Sequence, residues 1–365
     1  MLALIIGILL TPMRQQFTEQ TADNTDEGTD NAVTTIVEIP HFEWETGYAK
    51  KNVFLGSCFT ENVGNKMADL KYDVDINPFG ILYNPISVAN GIQLLLYEKE
   101  FTEKDLVYEN SLWHSFSHHG RFSSPEKKQT LQNINGRLKL SAAFLKQADF
   151  LFVTFGTAWI YRLIETGETV SNCHKMRANK FERIRLSVDE IVSVYTKLFD
   201  ELWQINPKVK VIFTVSPIRH WKDGAIENQR SKSTLLLAVD EIINTSKKNC
   251  AYFPSYEIMM DELRDYRFYA EDMIHISDVS VKHIWEKFET AFIDKNSRKL
   301  AIEIQKLNAA IHHRPFNKYT KEHLLFLQKQ MSLLEAIEQK HPFVHLVKEK
   351  QKINEQKNDI QNNLS

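Results

Sequence analysis

The chain has 365 residues, a length that predicts about two domains of about 150 residues and is ample for a large buried core. Hydrophobic residues make up 43% and charged ones 25%, with 22 Phe, 12 Tyr and 6 Trp, which excludes a disordered or fibrous chain. Lys and Arg total 45 against 47 Asp and Glu, for a formal net charge of -2, so the basic field that non-specific nucleic-acid binding requires is missing.

In chain order, the first apolar run is Leu2 to Leu10, about half of the roughly 20 residues a membrane span needs. No basic residue precedes it and no small-residue cleavage site follows, which argues against a signal peptide. An overcalled start, with Met13 the true one, is an alternative. Residues 15 to 34 carry five acidic and no basic side chains among Gln, Thr, Asn and Gly, so 1–34 is expected to be a flexible leader. The β-branched run from Val33 to Pro40 predicts a first strand.

Short apolar runs then alternate with helical patterning, the mark of a parallel α/β sheet. Val53-Phe54-Leu55 reads as a first strand, Phe150 to Phe155 and Val209 to Val215 as strands covered on both faces, and Ala251-Tyr252-Phe253 as a weaker fourth. Ser187-Val188-Asp189-Glu190 is a capping box opening a helix with Ile191, Tyr195, Leu198 and Leu202 on one face. Val281, Trp285, Phe288 and Phe292 mark another helix. The alternation predicts one three-layer domain over 35–295. Beyond it, the stripes Leu300, Ile304, Leu307, Ile311 and Leu324, Leu327, Met331, Leu334, separated by Pro315, predict a helical hairpin over 296–345. Residues 346–365, rich in Lys, Gln and Asn, read as a frayed polar tail.

Three cysteines, Cys58, Cys173 and Cys250, are widely spaced and form no CxxC pair, which excludes a disulfide framework and leans towards a reducing, cytoplasmic setting. Were Leu2 to Leu10 exported, an envelope or extracellular polysaccharide would be in reach instead. His174 beside Cys173, with His118 and His119 remote in sequence, offers no zinc spacing, so no metal is expected.

Chemistry concentrates at Val53-Phe54-Leu55-Gly56-Ser57-Cys58-Phe59, a strand that runs through Gly-Ser into a helix. In open α/β sheets functional groups gather beyond the carboxyl ends of strands. Ser57 there could face a crevice with its own N–H turned to an oxyanion, or merely cap the following helix. A nucleophilic serine needs a base and the base an orienting group. Asp272 and His275, three residues apart, could supply both on one turn, or be two polar residues of a surface loop. Cys58, adjacent to Ser57, is expected to point elsewhere, as a small buried side chain. Trp159 and Tyr161 either flank the site or belong to the core.

Six blocks in order, Gly56-Ser57-Cys58-Phe59, Asn77 to Pro85 (NPFGILYNP), Phe155-Gly156-Thr157-Ala158-Trp159, Asn172-Cys173-His174-Lys175, Ser216-Pro217-Ile218-Arg219-His220 and Tyr266 to His275, give a chain that resembles the GSCFA family. That family is similar to the SGNH, or GDSL-like, hydrolases. The resemblance covers roughly 35–295, and Arg314-Pro315-Phe316 extends it into the helical tail. It implies a flavodoxin-like α/β/α sandwich with a mostly parallel sheet, Ser57 as nucleophile, His275 as general base and Asp272 as its orienter. It further implies that the N–H groups of Gly80 and Ser57 hold the oxyanion. The usual Gly-Asp-Ser opening is shortened here to Gly56-Ser57, and a third-block Gly-x-Asn becomes Gly156-Thr157, so Thr157, Asn172 or another group would supply the remaining donor. Arg219 and His220, after the strand ending at Val215, would overlook the crevice and bind an anionic or sugar substrate, or serve a structural hydrogen-bonding role.

Two functions follow as expectations. One is a serine esterase, without cofactor, that cleaves an acyl group such as an O-acetyl from a carbohydrate or other small molecule. The other is an idle scaffold of the same fold that binds a glycan or a partner. The helical hairpin is a candidate dimerisation element with either.

Overall fold

The computed structural model describes residues 35–246 and 249–364; the expected leader over 1–34, with Leu2 to Leu10, lies outside them. In chain order come β1 (Lys51–Gly56), α1 (Cys58–Asp69), β2 (Asp73–Ile76), α2 (Pro85–Leu96), β3 (Val107–Glu109), β4 (Leu112–His114) and α3 (Lys127–Gln147). Then follow β5 (Phe150–Phe155), β6 (Trp159–Leu163), β7 (Thr169–Val170), β8 (Phe181–Arg185), α4 (Val188–Ile205), β9 (Lys210–Val215), α5 (Gly224–Thr245) and β10 (Cys250–Tyr252). The short α6 (Ser255–Glu257), extended by a π-helical turn, α7 (Asp278–Phe292), α8 (Lys295–His312), α9 (Lys321–Lys340) and α10 (Val347–Leu364) complete the described chain.

The four expected strands stand side by side with β2 in the order β10-β9-β5-β1-β2, every pairing parallel. Counted along the chain within this sheet, that is the 2-1-3-4-5 order of flavodoxin-like folds, whose direction of winding reverses between β1 and the next strand of the sheet, here β5. The pleat sends alternate residues to opposite faces. Val53, Leu55, Leu151, Val153, Phe155, Val211, Phe213 and Val215 pack under α2, α3, α4 and α5. Phe54, Phe150, Phe152 and Ile212 pack on the other face under α1 and α7, with Phe288 and Phe292 among their neighbours. The three layers of the expected α/β/α sandwich follow from that alternation.

Local signals place the helices. Ser187 accepts from the Glu190 N–H and Glu190 from that of Ser187, the expected capping box on α4. Asn84 accepts from the Ser87 N–H at 2.8 Å and Pro85 takes the first turn of α2, where a missing N–H removes no bond. Two antiparallel additions were not expected: the β3–β4 hairpin, turning through Asn110 and Ser111 at positive φ, and the three-stranded β7-β6-β8 sheet inserted after β5.

Two expectations are corrected. The described part of the predicted first strand, 35–40, forms no strand; the Val37 N–H goes to the Glu262 carboxylate at 3.1 Å, and Val37 and Ile39 pack against the core instead of pairing. The predicted polar tail is helix α10, whose Ile353 and Ile360 are fully buried against α8 and α9. The C-terminal element is therefore three helices rather than a hairpin. The described residues from Ile36 onwards form one compact unit, and no helix among them is long and apolar enough to cross a membrane.

Candidate functional site

β1 ends at Gly56, with φ of +141°, and a Cβ placed there would lie 2.2 Å from the Thr154 carbonyl oxygen of β5. Only glycine permits that approach, and it sets Ser57 at the start of α1 beside the point where the sheet's winding reverses. The second sequence block buttresses this corner. Asn77, itself at positive φ, accepts the Gly56 N–H on its side chain at 2.9 Å, and the Leu82 N–H donates to the Gly56 carbonyl at 2.9 Å. Tyr83 in turn presents its carbonyl to the N–H groups of both Gly156, 2.8 Å, and Thr157, 2.9 Å. The blocks around Ser57 are thus wired to one another through backbone.

Ser57 occupies the N-cap position of α1, yet its side chain makes no capping bond, so the expected capping alternative does not describe it. Its Oγ is buried without a hydrogen-bond partner. A buried hydroxyl left unpaired costs about 1–3 kcal/mol, a penalty that a base or a substrate could relieve.

The base candidate comes from the turn before α7. Asp272 accepts the N–H groups of Ile274 and His275 on Oδ1, each at 2.9 Å, and binds His275 Nδ1 through Oδ2 at 2.5 Å. The hydrogen bond from His275, then those two N–H groups, pull the Asp272 carboxyl down to about 2, so it stays ionised above that pH and holds the imidazole with Nε2 outward. Ser57 and His275 line one cleft of about 310 Å³ with Cys58, Tyr83, Gly156, Ser216, Ile218, Arg219, His220, Trp221 and Ile274. No hydrogen bond joins Ser57 Oγ to His275. A larger cavity of about 650 Å³ between the 36–45 segment and α7 holds no serine or cysteine in its lining.

Arg219 and His220 follow β9 into the cleft wall as expected. His220 meets the Tyr83 ring edge-on at 5.5 Å, and burial, then the nearby Lys232 charge, lower its pKa below the usual imidazole range. Cys58 departs from expectation: it is half-buried and lines the cleft beside Ser57. Burial pushes its thiol pKa up, which leaves it a poor thiolate. Trp159 and Tyr161 sit on β6, outside the cleft lining, stacked with Arg183 at 4.5 and 5.6 Å.

The expected oxyanion donors are already engaged or lie apart from the cleft. Gly80 lies outside the cleft lining, and its N–H closes a turn on the Asn77 carbonyl at 2.8 Å. Thr157 pairs its hydroxyl with Ser231, 3.1 Å, and receives the Trp159 N–H at 3.2 Å, while Asn172 accepts the His174 N–H at 2.8 Å in the inserted loops. Gly156 does line the cleft, but its N–H is held by Tyr83. Ser57 N–H remains at the corner, with a long bond of 3.2 Å to the Thr154 carbonyl, next to the first turn of α1, where the Thr60 N–H is held by the Ser57 carbonyl at 2.9 Å.

One residue of the site was missed. Lys232 of α5 is wholly buried behind the cleft and donates to the Gly156 carbonyl at 2.8 Å and the Ser216 carbonyl at 2.7 Å. Burial lowers its pKa to about 7. Its sequence signal was a lysine three and seven residues before the buried Leu235 and Val239, on the apolar face of a helix. Tyr83 and Trp221 carried no such signal. Among the described residues no three His, Cys, Asp or Glu side chains converge as metal ligands.

A family model described as the GSCFA family matches residues 51–288, and one described as the GSCFA domain protein, C-terminal domain, matches 304–359. No curated protein matches the sequence. Solved structures with likeness include an acetyl xylan esterase (Est2A) from the rumen bacterium Butyrivibrio proteoclasticus, at 12% identity over 67% of this chain and a TM-score of 0.34. The chain spans 63% of that enzyme's length. A carbohydrate esterase family 3 protein from Talaromyces cellulolyticus is 11% identical over 70% of this chain and 99% of its own, with a TM-score of 0.32. A family 3 carbohydrate esterase of Clostridium thermocellum is 14% identical over 69% and 98%, with a TM-score of 0.30.

Proposed function

The chain belongs to the GSCFA family, and from that premise and the geometry of its cleft we propose that it is a serine hydrolase of ester bonds, with Ser57 as nucleophile, His275 as general base and Asp272 as its orienter. The observation that carries this reading is the meeting, in one cleft, of an unpartnered buried hydroxyl and an imidazole clamped by a carboxylate at 2.5 Å. His275 Nε2 takes the proton of Ser57 as Oγ attacks the ester carbonyl. The tetrahedral oxyanion forms beside the Ser57 N–H and the N-terminal end of α1, where the helix dipole favours negative charge. His275 then returns the proton to the departing alcohol, and a water deprotonated by the same imidazole releases the acid and frees Ser57. No residue role here depends on a cofactor. The aromatic faces of Trp221 and Tyr83, each more than a third exposed at the cleft, suit a sugar ring, which favours an acylated carbohydrate as substrate.

A fluorophosphonate probe tests the nucleophile. The wild-type protein should be labelled on Ser57, located by mass spectrometry, and His275→Ala should lose the label while keeping its circular dichroism spectrum. A folded wild-type protein that resists the probe would sink the hydrolase reading and leave the cleft a binding site.

A further inference from the structure

The charge of the cleft is unbalanced. Arg219 is half-buried in its wall, and the contacts of its guanidinium are the Met260 sulfur at 3.7 Å and the Trp221 ring at 5.9 Å. Lys232, wholly buried behind it, donates to two carbonyls, lies 5.7 Å from the Tyr256 ring, and has the Cys58 thiol and His220 within electrostatic reach. None of the residues lining the cleft is acidic. Asp223 is engaged with Arg183, Glu61 with Arg121 and Asp272 with His275, and Glu257, which accepts from the Tyr252 hydroxyl, lies outside the cleft lining. Cations withdrawn from water without a counter-charge are costly, and proteins normally pair them.

We infer that the substrate brings the missing charge: the ester it carries belongs to a molecule with an oxyanion group, a carboxylate or a phosphate, that seats on Arg219 while the ester carbonyl lies at Ser57. A guanidinium binds such groups through two parallel N–H bonds, and Arg219 lines the cleft together with Ser57. Lys232, when protonated, adds positive potential behind the reacting carbonyl. The ester half of the inference rests on the hydrolase reading; the anionic half rests on the charge pattern alone.

The mono-p-nitrophenyl ester of terephthalic acid and its neutral methyl ester share acyl skeleton and leaving group, and the para carboxylate cannot reach its own ester to attack it. Wild-type kcat/KM should favour the acid by about tenfold or more, and the preference should shrink with added salt, as expected for a partly exposed charge pair. Arg219→Gln should erase the preference and Arg219→Lys retain part of it. With Ser57→Ala, which removes the chemistry, calorimetry should show tighter binding of the acid, lost again when Arg219→Gln is added. Equal handling of the two compounds, a preference that survives Arg219→Gln, or failure of the acid to bind Ser57→Ala at millimolar concentration would overturn the inference. A binding preference without hydrolysis by the wild type would overturn the hydrolase reading instead and leave the anion site standing.

Discussion

Lys232 shows how a single side chain can join two parts of a site. Its ammonium ties the carbonyl of Gly156, just past β5, to that of Ser216, just past β9, so the two strand exits that frame the cleft are fixed by one charged group. Charge-assisted hydrogen bonds of this kind contribute about 1.5–3 kcal/mol each when geometry is good, while burial of the ammonium opposes them, which is why its pKa falls to about 7. The sign of the pH effect follows. Between pH 7 and the ordinary lysine range the unfolded chain binds a proton that the folded chain has released, so this residue makes stability rise with pH across that window. Comparing urea midpoints of the wild type and Lys232→Met from pH 7 to pH 10 should show the wild type gaining on the variant as pH increases. Activity should move the opposite way: kcat/KM of the wild type declines above pH 7 as the positive charge behind the ester carbonyl is lost, and this alkaline limb is absent from the variant. Parallel pH curves for the two proteins would mean that Lys232 is not a buried, titrating charge.

Among the elements, the turn from β1 into α1 depends most tightly on its sequence. Gly56 needs both its φ of +141° and the absence of a Cβ that would overlap the Thr154 carbonyl at 2.2 Å. Gly56→Ala should therefore destabilise the fold by about 1–3 kcal/mol from backbone strain, and more from the clash, and should reduce Ser57 labelling in whatever fraction remains folded. A thermal midpoint unchanged from wild type would contradict this account of the corner. The same element explains what was legible in the sequence. β5 and β9 announced themselves as near-continuous apolar runs because both of their faces are covered, β10, a half-buried edge strand, gave a weaker signal, and Ser187-Val188-Asp189-Glu190 announced α4 because capping is a local bond. β6 and β8 did not, since Tyr161, Arg162, Arg183 and Arg185 leave them partly exposed and too polar for a buried run. The Asp272 and His275 pair was visible because three residues span one turn. The oxyanion donors were not, because where the Gly80, Gly156 and Thr157 N–H groups point depends on acceptors at Asn77 and Tyr83 that no spacing rule reveals. Lys232 escaped because a lysine on an apolar helix face reads as a polar interruption until the carbonyls it meets are known.

For the whole molecule, the instructive element is α10, read from composition as a frayed tail. Two isoleucines seven residues apart, Ile353 and Ile360, are its only fully buried side chains, a stripe too sparse to predict a helix alone. It folds because α8 and α9 offer Leu300, Ile304, Leu307, Leu327, Leu334 and Ile337 as a shared core. It is also tied to the sandwich, where Lys71 at the end of α1 pairs with Glu349 at 2.6 Å, both mostly buried. The helices thus rest against the C-terminal end of α1, the same helix whose N-terminal end carries Ser57. Removing α10 by ending the chain after Leu346 withdraws two buried isoleucines, worth about 1.5–3 kcal/mol each, and leaves Lys71 without its partner. The thermal midpoint should fall by several degrees, in keeping with about 2–4 °C per kcal/mol for proteins of about 150–250 residues. Fluorophosphonate labelling of Ser57 should persist at low temperature, because no residue of α8, α9 or α10 lines the cleft. Loss of labelling in a truncated protein that keeps its far-ultraviolet spectrum would show that the C-terminal helices hold α1, and with it the nucleophile, in register, and would make them part of the catalytic apparatus rather than its support.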